Sequence, residues 1–287
     1  MGNKIKYVAG VYAARAMPSN LLHESVDDIL LQALDAASGT VYAVNPAATT
    51  IERLVEVVGE TDADVQIRLL AAERTLKDVM DDFIVASSAA DLIAADRLEL
   101  RSTEETPENS LLVTEDRVIA LVSAGSQVGG LTTDDGAFVD AAGEAYADRW
   151  EAAEPFSLRT PPISRVRESL AAEIGPDAEA DFTSILDSLE TARGDGDGLD
   201  EVTISLLVAA KNEALLYDIS KWGEDVGIAS KATFSRTKTR LEDMGLLDTE
   251  KVPIDVGRPR LRLKLGDDRL QGADNGQIAS VAQSILN

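Results

Sequence analysis

Residues 228–264 read IASKATFSRTKTRLEDMGLLDTEKVPIDVGRPRLRLK, and this stretch decides the fold. Ser230 suits a helix N-cap. After it, Phe234, Thr237, Leu241 and Met244 recur at three- and four-residue spacing, the mark of a helix with one inward face. Gly245 closes that helix, and Leu246-Leu247 leads into a hairpin whose tip carries Val256-Gly257-Arg258-Pro259-Arg260. In its second arm Leu261, Leu263 and Leu265 alternate with Arg260, Arg262 and Lys264, so one side packs inward and the other forms a basic stripe. The window holds nine bases and five acids, a net charge of +4, in a chain of net charge −24. A positive island in an acidic chain is the footprint expected of a phosphate-backbone binder.

Two helical patterns precede this stretch. The first spans about Glu201–Asn212 with Val202, Leu206, Leu207 and Ala210 facing a core. The second runs from about Tyr217 to Val226 and buries Ile219, Trp222 and Val226. Gly227 stands where the following turn needs a left-handed residue, and Ile228 pins that turn. The whole reads as a winged helix-turn-helix. Its third helix turns Ala232, Ser235, Arg236 and Thr239 outward, with Lys231 at the edge. A recognition helix offers its N-terminal outward face to base edges, so Lys231, Ser235, Arg236 and Thr239 are the candidate base readers, Arg236 as a bidentate partner for guanine. Lys238 and Arg240 flank that face and suit phosphate contacts, and Ser230, Arg260 and Arg262 complete the candidate DNA-binding set. Arg258, beside Gly257, is placed to reach a minor groove. Winged helices also serve as protein-docking modules, and that alternative stays open.

Length, 287 residues, suggests two modest domains. Acids outnumber bases 51 to 27, and only nine of the bases are Lys. A Lys-poor acidic surface with small apolar residues resembles proteins from cells with molar internal salt, where screening over roughly 3 Å removes most self-repulsion. The absence of cysteine excludes disulfides, thiolate catalysis and Cys-ligated metal sites, and the single His23 excludes a multi-histidine site, so no cofactor or metal is expected. No apolar run approaches the roughly 20 residues of a membrane span, and Met1-Gly2-Asn3-Lys4-Ile5-Lys6 opens no signal peptide. A cytoplasmic protein is expected.

Upstream, residues 1–18 lack periodicity. Helical patterns over Leu21–Ala37, from Thr49 or Thr50, over Leu76–Ala95 and over 136–152 alternate with strand patterns at 40–44, 65–70, 97–101, 110–113 and 117–122, the last two a hairpin. This order predicts an α/β layer fold with a mainly parallel sheet. The expected division is an α/β effector or dimerisation domain over 1–156 and a helical connector with a Gly/Asp linker over 157–198. The winged domain follows over 199–268 and a tail helix over 269–287.

Leu112-Val113-Thr114-Glu115-Asp116-Arg117-Val118-Ile119-Ala120-Leu121-Val122, the Gly-rich stretch 125–130 and Tyr146-Ala147-Asp148-Arg149-Trp150 carry a family likeness. The first 156 residues resemble the effector domain of TrmB-like sugar-responsive regulators, a phospholipase-D-like α/β layer that has lost its catalytic residues. The winged segment is similar to those of archaeal transcription regulators, and nearly the whole chain resembles haloarchaeal TbsP-type regulators. The resemblance implies transcriptional control of central sugar metabolism, gluconeogenic genes included. In TrmB the DNA-binding part is N-terminal; here it is C-terminal.

The residues oppose an enzyme. His23 is followed by Glu24 and Ser25 rather than by the Lys of an active phospholipase-D signature, and reads as a surface or helix-entry residue. Gly125-Ser126-Gln127-Val128-Gly129-Gly130 lacks the Lys-Ser/Thr of a phosphate loop and reads as a loop after the hairpin. Asp195-Gly196-Asp197-Gly198 lacks the distal Glu of a calcium loop. A small metabolite effector would sit beyond the carboxyl ends of strands, which selects Asn45, Thr49 and Thr50 first and Ser126 and Gln127 second. The expected partners are double-stranded promoter DNA and a second copy of the chain. A protein-interaction adaptor and a small-molecule sensor remain the alternatives.

Overall fold

The computed structural model describes residues 21–23, 25–61, 63–104, 107–125, 127–193, 199–253 and 259–286. The N-terminal half is an α/β layer built as β1 (Leu21–His23), α1 (Val26–Asp35), β2 (Gly39–Val44), α2 (Ala48–Glu60), β3 (Val65–Ala72), α3 (Glu73–Met80), α4 (Phe83–Ala94), β4 (Leu98–Thr103), β5 (Leu111–Val113), β6 (Val118–Ala124), β7 (Gln127–Thr133), α5 (Gly136–Ala152) and β8 (Glu154–Pro155). Among the described residues these strands form one sheet in the order β1-β7-β6-β5-β2-β3-β4-β8. Only the β2–β3 and β3–β4 pairs are parallel. The other five are antiparallel, so the sheet is mixed rather than mainly parallel. The reason lies in the connections: helices return the chain between β2, β3 and β4, whereas tight turns join β5, β6 and β7 and force antiparallel pairing.

Three further expectations change. Residues 127–130 of the expected loop are strand, because β7 begins at Gln127 and pairs along the whole of β6. The helix expected from Leu21 begins at Val26, and Leu21–His23 instead pairs with β7, Leu21 opposite Gly130 and His23 opposite Val128. The helix expected over Leu76–Ala95 is two helices, starting at Glu73 and broken where the Asp82 side chain accepts from the Ile84 N–H at 2.9 Å to cap α4.

Alternation along the strands sorts two faces. Val41, Ala43, Leu112 and Ile119 join the main core against the first four helices, with Ile29, Leu54, Leu76 and Ala86. Tyr42, Val113 and Val118 face α5, where they meet Val139 and Tyr146. Trp150 anchors the far end of α5: Arg101 lies 4.8 Å from its ring and donates to its carbonyl at 2.7 Å.

The C-terminal half comprises α6 (Ile163–Glu173), α7 (Pro176–Asp187), α8 (Glu201–Lys211), α9 (Leu216–Val226), α10 (Lys231–Asp243), β9 (Leu247–Val252), β10 (Arg260–Leu265) and α11 (Asn275–Leu286). One apolar cluster holds Val166 and Leu170 of α6, Phe182 and Ile185 of α7, Ile278 and Ala282 of α11, and the winged elements through Leu207, Trp222, Phe234, Leu241 and Leu263. The connector and tail helices therefore share the winged domain's core. They enclose α8, whose residues Val202–Ala210 are all buried where the sequence predicts one buried face.

The two halves meet at α4. Phe83 joins the C-terminal core, edge-on to Phe182 at 6.4 Å, and its N–H donates to Ala192 O at 3.0 Å. The buried Asp82 carboxylate accepts from Thr191 Oγ1 at 2.5 Å, Ala192 N at 3.3 Å and Arg193 Nε at 3.4 Å, and Arg193 also pairs with Glu52 at 3.1 Å. Among the described residues no helix is long and apolar enough to cross a membrane.

Candidate nucleic-acid interface

The winged module is set by local chemistry. The Asp200 carboxylate caps α8 by accepting from Thr203 N at 2.6 Å. Gly227 ends α9 at φ +98°, a conformation that favours glycine, and Ile228 N returns to Gly223 O at 2.8 Å. The turn is tight because Gly223 brings α9 onto the Phe234 ring: a Cβ there would lie 2.3 Å from two ring carbons. Ser230 caps α10, accepting from Thr233 N at 3.2 Å. Phe234 and Leu241 are buried, and the opposite side of α10 exposes Ala232, Ser235, Arg236 and Thr239. Ser235, Arg236 and Thr239, which the sequence nominates as base readers, thus share one exposed face, with Ser230 and Lys231 exposed at its N-terminal end.

Other nominated residues are placed differently. Lys238 is turned inward, its side chain 12% exposed, and pairs with Glu242 at 2.7 Å; Glu242 also accepts from Thr249 Oγ1 on β9. The Glu242 carboxylate, held by that ammonium, ties α10 to the wing. Arg240 is exposed and donates to Thr203 Oγ1 at 3.4 Å. Arg258 lies outside the described residues.

The wing pairs β9 with β10 in antiparallel register, Arg260 opposite Val252 and Leu265 opposite Leu247. Leu263 N donates to Ala214 O at 2.9 Å and Leu215 bridges Arg262, which locks the hairpin to the turn before α9. The basic stripe is present, but each member meets an acid. Arg260 reaches Asp218 at 3.4 Å, Arg262 reaches Glu213 at 3.8 Å and Lys264 reaches Glu250 at 2.8 Å. Lys231 at the start of α10 holds Glu224 at 2.7 Å. These contacts hold Glu224 and Glu250 below the ordinary carboxylate range and push Lys231 and Lys264 up. Among the described bases of the 228–264 window, Arg236, Arg240 and Lys251 have no acidic partner within ion-pair distance.

The sequence reading missed Tyr217. It is 49% exposed, and the Arg260 guanidinium stacks 4.5 Å from its ring, beside the N-terminus of α9. An exposed aromatic in the first turn of the second helix is the signal that was available.

Of the nominated effector residues, Asn45, Thr49 and Thr50 line neither of the two cavities described below. Asn45 has φ +44°, and its side-chain N–H donates to Pro107 O at 2.7 Å, which ties the amide to the segment between β4 and β5. Thr49 is exposed and Thr50 half-buried in the first turn of α2. Ser126 lies outside the described residues, and Gln127 begins β7 opposite Ala124. Two cavities lie elsewhere. One of 660 Å³ is lined by Leu111, Leu131, Phe138 and Tyr146 between α5 and the sheet, and one of 1010 Å³ by Lys77, Thr103, Arg149 and Arg159 at the end of β4. Among the described residues no cluster of His, Cys, Asp or Glu is placed to hold a metal ion.

Residues 162–283 match the family model for the C-terminal HTH domain of TbsP-like transcriptional regulators, and residues 18–161 match the N-terminal domain of the same family. Among solved structures, the chain is similar to TrmBL2, an archaeal chromatin protein described as showing a novel mode of DNA binding. The identity is 14% and the TM-score 0.36, over 51% of this chain and 57% of that one. It is also similar to NucT from Helicobacter pylori, at 10% identity and a TM-score of 0.33, over 48% of this chain and 99% of that one. The chain thus spans little more than half the length of TrmBL2. No curated protein matches the chain.

Proposed function

We propose, since this chain belongs to the family of TbsP-like transcriptional regulators, that it reads promoter DNA with α10 in the major groove and the wing against the backbone. The observation that carries the reading is the outward face of α10, where Ser235, Arg236 and Thr239 are exposed together and Arg236 has no acidic partner among the described residues. Arg236 then supplies a bidentate base contact, and Ser235 and Thr239 supply shorter ones. Ser230, Lys231 and Arg240 position the helix on phosphates. Arg260 and Arg262 hold the flanking backbone, and Arg258 reaches a minor groove. Lys238 keeps a structural role because its charge is spent on Glu242.

The finer reading is a cytoplasmic homodimer in a halophilic archaeon, reading two half-sites as paired helix-turn-helix modules do and governing genes of central sugar metabolism and gluconeogenesis. The acidic composition, 51 acids against 27 bases, supports the halophilic setting. The α/β half serves as the effector or dimerisation domain, and we propose no catalytic role for it.

The test is genome-wide occupancy of tagged protein, wild type beside Arg236→Glu. Discrete promoter peaks that vanish in a folded variant are expected, and the peaks name the target genes. A wild type with no peaks across several carbon sources would make the winged module a protein-docking adaptor.

A further inference from the structure

The basic face of the winged module is not a bare positive surface. Lys231, Arg260, Arg262 and Lys264 each hold an acid, and the four acids come from different places: Glu213 in the turn before α9, Asp218 and Glu224 at the two ends of α9, and Glu250 on β9. All eight side chains are 38–59% exposed. Pairs this wet are individually weak, worth a fewfold in an equilibrium constant, and open readily when a phosphate approaches. Lys238–Glu242 differs, being turned inward and held by Thr249.

Partner exchange changes the salt dependence of binding. A free base that meets a DNA phosphate releases about one condensed cation, and log K falls by about 0.9 per contact per decade of salt. A base that first lets go of a carboxylate leaves that carboxylate to take a cation from solution, so cation release and uptake nearly cancel. The phosphate contact still fixes the position of the wing, but it adds little affinity for an arbitrary duplex and little salt sensitivity.

We infer that Glu213, Asp218, Glu224 and Glu250 are exchange partners for the DNA backbone and determine specificity. They hold down binding to arbitrary duplex and flatten the salt dependence, so that base reading by Arg236 and its neighbours sets the affinity. The inference rests on the DNA-binding reading above and adds residues whose charge opposes DNA. The ligands are duplex DNA and the monovalent cations that the freed carboxylates collect.

The experiment uses the full chain and fluorescence anisotropy with two duplexes about three helical turns long, matching paired half-sites. One is of arbitrary sequence and one is taken from the most strongly occupied promoter. The variant joining Glu213→Gln, Asp218→Asn, Glu224→Gln and Glu250→Gln should steepen the slope of log K against log salt by about three to four, near 0.9 for each pair. It should gain about tenfold or more on the arbitrary duplex at low salt, and less on the promoter duplex. The single variants Asp218→Asn and Glu250→Gln, each steepening the slope by about 0.9, keep the test sound if the combined one folds poorly. The control joins Asp243→Asn and Asp248→Asn, acids of the same window that have no basic partner among the described residues. It removes charge without removing a pair and should leave the slope unchanged. A slope equal to wild type in the pair variants, or a control that steepens it as much per charge, overturns the inference alone. A wild type that binds neither duplex overturns it together with the DNA reading.

Discussion

At Gly223 a missing side chain sets the geometry of the recognition helix. The Phe234 ring fills the space a Cβ would need, so Gly223→Ala must push α9 from α10 or turn Phe234 out of a core in which it is fully buried. Overpacking of this kind costs about 1–3 kcal/mol, and urea melts of the variant should show a loss in that range. Duplex affinity should fall further than stability accounts for, because α10 itself is displaced. The sequence made much of this helix legible: Phe234 and Leu241 are spaced seven apart and buried, and Gly227 and Gly245 take positive φ as glycine at a helix end should. The acids facing the basic stripe were not legible. Asp218 and Glu213 lie more than forty residues before Arg260 and Arg262, and reach them only because the hairpin docks on the turn at Ala214–Leu215.

Among the elements, α8 departs furthest from its pattern. It is buried all round, because helices far away in sequence close over the side expected to face solvent. Its first residue carries the cost. Glu201 sits where a helix dipole favours a negative charge, yet burial, followed by the nearby Asp200 and Asp81, pushes its carboxyl up to about 7. A folded-state value above the unfolded one means that the folded chain binds the extra proton between pH 4.5 and about 7. Stability from this group is complete below that window and is lost as pH rises through it. Glu201→Gln should therefore flatten the pH dependence of unfolding and stabilise the chain above neutrality. The gain is on the order of 3 kcal/mol at most, at about 1.4 kcal/mol per pKa unit. Denaturant melts at about pH 5 and about pH 8 read both effects. Strands resisted reading for a different reason. In β7, Gly129 and Gly130 dilute the β-branched signal, and pairing with β6 on one side and β1 on the other makes the segment a strand.

For the molecule as a whole, the junction at α4 decides whether the halves behave as one. Asp82 gathers the Ile84 amide with Thr191, Ala192 and Arg193, while Phe83 plugs the opposite core. Removing that carboxylate leaves its buried donors unmatched, at about 1–3 kcal/mol. Asp82→Ala should lower stability accordingly and split a single calorimetric unfolding peak into two; one unshifted peak would show that Phe83 alone couples the halves. The same wiring fixes an order of events during translation. Leu21 finds its strand partner only at Gly130, so at about 5–20 residues per second β1 leaves the ribosome about 5–20 s before β7 exists. Phe83 then waits for Phe182. Early-made segments of this protein are held by late-made ones, so a nascent chain stalled short of β7 carries β1 without the strand it pairs with.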